Sequence, residues 1–203
     1  MCLFKWLFVQ LMKPYVREAK GFENIPESGP AILVANHSSY IDAPLICALT
    51  DWHCKRWPRG IIYKGIYEKN RFIRYFAGTV YRAIPTNGSV GKAIEALARG
   101  DIIMLFPEGG RSLDGKMQKC THQGLGAMAS ATGAPAIPVG IRGTYGWWPA
   151  HRRMPSLLSF KKISIKVGKP VKYSGKATKK DRLSFQRKVM RAVAKLARTK
   201  YPY

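Results

Sequence analysis

AILVANHSSYID, residues 31–42, sets five apolar side chains directly before a stretch dominated by polar ones. A short unbroken apolar run bounded by turn-forming residues reads as a strand buried on both faces. Such strands belong to sheets covered by helices on either side. The stretch that follows needs a different explanation. Asn36, Ser38 and Ser39 carry short polar side chains that bind nearby backbone groups, so they suit a turn or a helix start. Within them His37 and Asp42 stand five positions apart. A regular helix would turn these two side chains about 140° from one another, so they can meet only across a turn. If they meet, the imidazole can accept a proton while the carboxylate holds its other nitrogen and stabilises the imidazolium. The plain alternative is a helix cap or a surface pair.

Working outward, apolar runs alternate with helical patterns. GIIYK at 60–64, DIIMLF at 101–106 and AIPVGI at 136–141 read as strands. SVGKAIEALARG, 89–100, reads as a helix with Ser89 as N-cap, with Val90, Ala93, Ile94 and Leu97 on one face and Gly100 as its stop. A second helix is expected over 123–132, ending at Gly133. KISIKV, which ends at Val167, alternates apolar and polar residues and is expected at a sheet edge. The last helix is expected from about Thr178, with Asp181 completing an imperfect capping box, to about Thr199. The pattern predicts an α/β fold: a single domain with a central, mostly parallel or mixed sheet flanked by helices.

The charge is unusual. The 203 residues hold 35 Lys and Arg against 11 Asp and Glu, a net charge of +24, and residues 151–203 contribute 17 of the basic residues but a single acid, Asp181. Such a field favours an anionic partner, either a membrane surface or nucleic acid. No zinc-finger spacing, RNP aromatic motif or clear helix-turn-helix accompanies it, which argues against specific nucleic-acid recognition. The amino terminus, MCLFKWLFVQLMKPYVR, is too short an apolar run to span a bilayer, which takes about 20 residues. Residues 1–17 are expected to form an amphipathic, membrane-associating segment, or else a terminal helix docked on the core. Residues 18–203 then form the main domain. The four cysteines show neither CxxC spacing nor disulfide density, so a reducing compartment fits best.

Three polar constellations follow three of the apolar runs. NHSSYID follows the first, FPEGGRS at 106–112 the second, and IPVGI at 137–141 belongs to the third. Sites in open α/β sheets gather outside the carboxyl ends of the strands, so the three are expected to share one cleft. In FPEGGRS, Glu108 can accept hydrogen bonds, Gly109 and Gly110 let backbone N–H groups approach an anion, and Arg111 can grip phosphate with its planar fork. No GxSxG elbow supplies a serine nucleophile. Any proton taken by His37 is therefore expected to come from a substrate hydroxyl.

NHSSYID resembles the H-x4-D box of the glycerolipid acyltransferases, FPEGGRS their FPEG-x-R-S box, and IPVGI their later I-P-V block, in the family's order. The nearest resemblance is to bacterial 1-acyl-sn-glycerol-3-phosphate acyltransferases. It implies transfer of an acyl chain from acyl-ACP or acyl-CoA to the sn-2 hydroxyl of lysophosphatidate, giving phosphatidate, with no metal or prosthetic group. Carried over by position, it makes His37 the general base and Asp42 its orienting partner. Glu108, Gly109 and Arg111 would bind the phosphoglycerol end, and Pro138 would shape the acyl-donor cleft. One box departs from the pattern: GTVYRAIPTNG, 78–88, places Gly88 where family members carry an arginine. Lys64 or Arg82 is then expected to supply that charge, and another lysolipid acceptor, such as lyso-ornithine lipid, fits the same chemistry. The resemblance also implies a cytoplasmic membrane face, an anionic lipid surface and an acyl carrier protein or CoA thioester as partners.

Overall fold

The computed structural model describes residues 3–62, 82–86, 88–120, 122–152, 154–156 and 162–203, with 65, 74, 75 and 78 between them, and the side chains from residue 6 onward. Strand β2, Ala31–Ala35, is AILVA as expected and every residue in it is buried. Its period of two divides it cleanly. Ala31, Leu33 and Ala35 enter one core, while Ile32 and Val34 enter another on the opposite face. The other strands are β1 (Val16–Lys20), β3 (Arg59–Ile62), β4 (Ile84–Pro85), β5 (Ile102–Leu105), β6 (Ala136–Arg142) and β7 (Ile163–Val167). They form one mixed sheet in the order β1-β7-β6-β2-β5-β3-β4, parallel throughout except where β7 runs antiparallel to β6.

Helices cover both faces. On one side α1 (Leu3–Met12) packs on α2 (Asp42–Cys54), and Met12, Leu45, Ile46 and Leu49 join that core. On the other lie α3 (Ser89–Ala98), α4 (Gly124–Thr132) and α6 (Lys179–Ala197); a short α5 (Thr144–Trp147) follows β6. Helix α6 approaches β6 closely where the strand carries glycine at 140. A Cβ there would strike the backbone nitrogen of Ala197 and the Cβ of Leu196. The cap of α6 is as read: the Thr178 hydroxyl accepts from Asp181 N at 3.1 Å and donates to its carboxylate at 2.9 Å. Among the described residues no helix is long and apolar enough to cross a membrane.

Three expectations need revision. Ser89 is the first residue of α3 and not its N-cap; that place is taken by Gly88, at φ 68° and without a side-chain cap. KISIKV is not at an edge, because β7 sits between β6 and β1. Its polar Ser164 and Lys166 are bound by Glu18 of β1, at 3.1 and 3.2 Å. The amino-terminal helix docks on the core along one side and is exposed along another. Val9 and Met12 are buried against α2, whereas Leu7 and Leu11, one turn apart, are 47% and 62% exposed and face away from it.

Candidate active site

The chain leaves β2 toward α2 on one face of the sheet, and leaves β5 toward α4 on the other. Since β2 and β5 are neighbours, their carboxyl ends bound a crevice between diverging loops. The loops NHSSYID and FPEGGRS meet there.

Asp42 is the first residue of α2 and is fully buried. Its Oδ2 accepts hydrogen bonds from Ser38 N at 2.7 Å and Ser39 N at 2.8 Å, and lies 2.9 Å from His37 Nδ1. Two backbone donors and a helix N-terminus therefore hold a negative charge where it can orient the imidazole. The turn through Ser38–Ile41 is what lets residues five apart meet. The His37 ring is stacked on Phe106, centroids 4.1 Å apart, and the Asp42 contact leaves Nε2 as the nitrogen available to a substrate.

Glu108 is placed at this cluster in a way the sequence did not reveal. One carboxylate oxygen accepts from His37 N at 2.9 Å and the other from Gln118 N at 2.7 Å. Ser112 N in turn donates to His37 O at 2.9 Å. Oε1 thus ties the loop after β5 to the turn after β2, and Oε2 braces that loop on itself. Burial pushes the Glu108 carboxyl up to about 7, against the two N–H bonds that favour its ionised form.

Arg111 lies over the ring of Tyr40, with its guanidinium carbon 4.0 Å from the centroid. This brings the expected phosphate-gripping fork to the outer side of the same turn. Gly109, at φ 77°, sits exposed at the tip of the loop. Pro138 lies elsewhere: it is in register with Val34 inside the sheet, its ring against Gly168 on the α6 side. Arg82 is exposed at φ 47°, and its carbonyl accepts from Arg59 Nε at 3.1 Å. Lys64 falls outside the described residues. Gly88, where an arginine was expected, has open space around it.

Asn36, Ser38 and Ser39, read from the sequence as turn formers, have particular partners that the sequence did not indicate. Asn36 continues the β2–β6 pairing with its side chain: Nδ2 donates to Ile141 O at 2.9 Å, and Ile141 N donates to Oδ1 at 2.8 Å. Ser38 Oγ lies 3.3 Å from the Thr144 hydroxyl, and Ser39 Oγ donates to Trp148 O at 2.7 Å, so α5 and the residue after it buttress the turn. An asparagine directly after a wholly apolar strand was the available signal for the first of these.

The model of the family described as Acyltransferase matches residues 16–142, more than half of the chain. The chain is 25% identical over 184 residues to the chloroplastic 1-acyl-sn-glycerol-3-phosphate acyltransferase BAT2 of Brassica napus, covering 85% of this chain and 49% of that protein. It is 24% identical over 178 residues to chloroplastic LPAT1 of Arabidopsis thaliana, covering 82% and 46%. It spans about half the length of these curated relatives. Among solved structures it resembles the 1-acyl-sn-glycerophosphate acyltransferase PlsC of Thermotoga maritima, with a TM-score of 0.67, 26% identity, and coverage of 98% of this chain and 83% of that one. The match runs through both loops that meet at His37, and on it the chain belongs to the acyltransferase family.

Proposed function

We propose that the protein transfers a fatty acyl chain from an acyl-ACP or acyl-CoA thioester to the sn-2 hydroxyl of lysophosphatidate, giving phosphatidate. The observation that carries this reading is the His37–Asp42 contact, with Asp42 fixed by two further backbone donors. Asp42 holds the proton on Nδ1, so Nε2 is free to take the proton of the acceptor hydroxyl as its oxygen attacks the thioester carbonyl. The oxyanion collapses by expelling the thiolate, which recovers the proton from Nε2. Atoms balance without a covalent enzyme intermediate, and the scheme calls on no cofactor. In it Glu108 acts on the chemistry by fixing the His37 backbone. Arg111 faces the anionic head group, with Arg82 and Lys64 as further cations; the Gly109 N–H is taken by Phe106 O and Pro138 is buried inside the sheet, so neither has a part in this scheme.

A second acceptor, lyso-ornithine lipid or another lysolipid, is favoured by Gly88, which has no side chain to offer a phosphate and whose Cβ position is open. Exposed Trp6, Leu7 and Leu11 on α1 suit insertion at the interface of a leaflet, which supports membrane association for the segment 1–17 ahead of the catalytic domain at 18–203, with Val16 and Arg17 already in β1 of the sheet. The site would then work at the cytoplasmic face of an anionic membrane.

The test is thiol release from palmitoyl-CoA and palmitoyl-ACP in lipid micelles, with lysophosphatidate and other lysolipids as acceptors, for wild type and His37→Ala. Acceptor-dependent release that disappears in the variant supports the reading, and the best acceptor identifies the lipid. Activity that survives His37→Ala overturns it.

A further inference from the structure

The outer face of α6 carries cations that no carboxylate among the described residues neutralises. The helix holds seven Lys and Arg and one acid, Asp181, whose carboxylate is occupied by Thr178 and by Lys176 N. Lys180, Arg187, Lys188, Arg191, Lys195 and Arg198 are all exposed. Among the described residues no carboxylate pairs with any of them. Arg187, Arg191 and Lys195 follow one another at spacings of four, an arrangement in which like charges repel across successive turns. The surface is thus self-repelling, and an acidic partner would relieve it.

Two observations decide which partner. No large apolar side chain is exposed on α6, so this face offers a bilayer nothing to insert. It also covers the opposite face of the sheet from α1, whose Leu7–Leu11 stripe points away from α2. A leaflet seated on that stripe leaves α6 turned toward solution. The helix nonetheless ends beside the crevice. Leu196 and Ala197 press on Gly140, the neighbour of Ile141, which Asn36 holds next to His37. Arg187 and Lys119 lie on the Tyr203 ring, at 4.5 and 5.2 Å from its centroid, so the cationic face runs on to the loop whose Gln118 N is bound by Glu108.

We propose that the outer face of α6 docks a small acidic carrier protein and so presents the acyl thioester at the carboxyl edge of the sheet. This rests on the acyl-transfer function proposed above. It assigns the basic carboxyl-terminal quarter to the water-soluble donor, and α1 to the lipid acceptor.

The experiment uses the full chain and a triple substitution, Lys188→Glu, Arg191→Glu and Lys195→Glu, with the corresponding glutamine triple as a milder second variant and thermal unfolding as a check on folding. Binding of palmitoyl-loaded acyl carrier protein is followed by fluorescence anisotropy at low and high salt. Acyl transfer is measured with that donor and with palmitoyl-pantetheine, which offers the same thioester without an acidic protein. Co-sedimentation with anionic vesicles is measured in parallel. Docking on α6 gives a loss of carrier affinity of about tenfold or more and a matching rise in KM for the carrier-bound donor, with the glutamine triple intermediate. The KM for palmitoyl-pantetheine and vesicle binding stay unchanged. Carrier binding that is unaltered, or a vesicle affinity that falls while carrier binding holds, overturns the proposal; the latter would make α6 a lipid surface. Carrier binding lost in the variant, with no transfer from either donor by wild type, supports docking and sinks the acyl-transfer reading instead.

Discussion

The carboxyl edge of β2 and the outer helical surfaces hold polar or apolar groups in opposite ways. At the edge, charge is anchored to backbone: Asp42 takes two N–H groups and Glu108 two more. On α6 the cations have no carboxylate partners among the described residues, and on α1 the leucines of one stripe are left largely open. An anchored group has one geometry, which suits proton transfer; a loose one can adapt to a partner. Substitutions at the edge should therefore cost rate or stability, and substitutions on the outer faces should cost association alone.

The sharpest test of the anchored side is His37→Ala, which should lower kcat by about 10³-fold with thermal stability almost unchanged. Next comes Asp42→Asn, with an expected fall of about 100-fold, since the amide can no longer hold Nδ1–H as an anion does. Circular dichroism should separate this from unfolding. A variant that keeps full rate would break the claim that Asp42 orients the base.

Glu108→Gln follows. The amide offers one acceptor oxygen and an NH2 that cannot accept, where the protonated carboxyl keeps two oxygens able to accept, so one backbone N–H loses its partner and stability should fall by about 1–3 kcal/mol at acid pH. The pH dependence has a definite sign. Because the folded carboxyl is pushed from 4.5 up to about 7, the folded protein keeps a proton over that interval which the unfolded chain has given up. The stability this supplies is complete below 4.5 and is lost as pH rises through about 7. Thermal unfolding of both forms should show the wild-type advantage shrinking as pH rises over that range. A gap that widened instead would contradict a buried, proton-retaining Glu108.

The smallest effect belongs to the loose side. Leu7→Ser with Leu11→Ser should weaken vesicle binding by about 1–3 kcal/mol in total while leaving kcat toward a detergent-dispersed acceptor unchanged. Equal loss of rate on dispersed substrate would show that the stripe serves the fold.

What the sequence disclosed follows the same division. AILVA, DIIMLF and AIPVGI were legible because strands buried on both faces must be apolar throughout, and α6 because Thr178 and Asp181 mark its start. Strand β1 was missed since VREAK keeps charged Arg17 and Glu18 at a sheet edge, where alternation is weak. The alternation of KISIKV was real but its cause was not an exposed edge: Glu18 of the neighbouring strand satisfies its polar side. His37 and Asp42 could be paired because the turn formers between them were visible. The clamp made by Glu108 could not, because its partners are backbone N–H groups, which every residue except proline carries.

The Asn36 amide has one more implication. The β2–β6 backbone ladder runs to Ala35 and Val139, and beyond it the connection to Ile141 passes through a side chain. A side chain in place of a backbone rung works as a spacer: it lets two strands part while fixing how far they part. The mouth beside His37 is therefore held at a set width by a neutral group that adds no charge of its own. Its gauge is a single amide, and shortening or ionising it would alter the aperture before any reacting atom was touched.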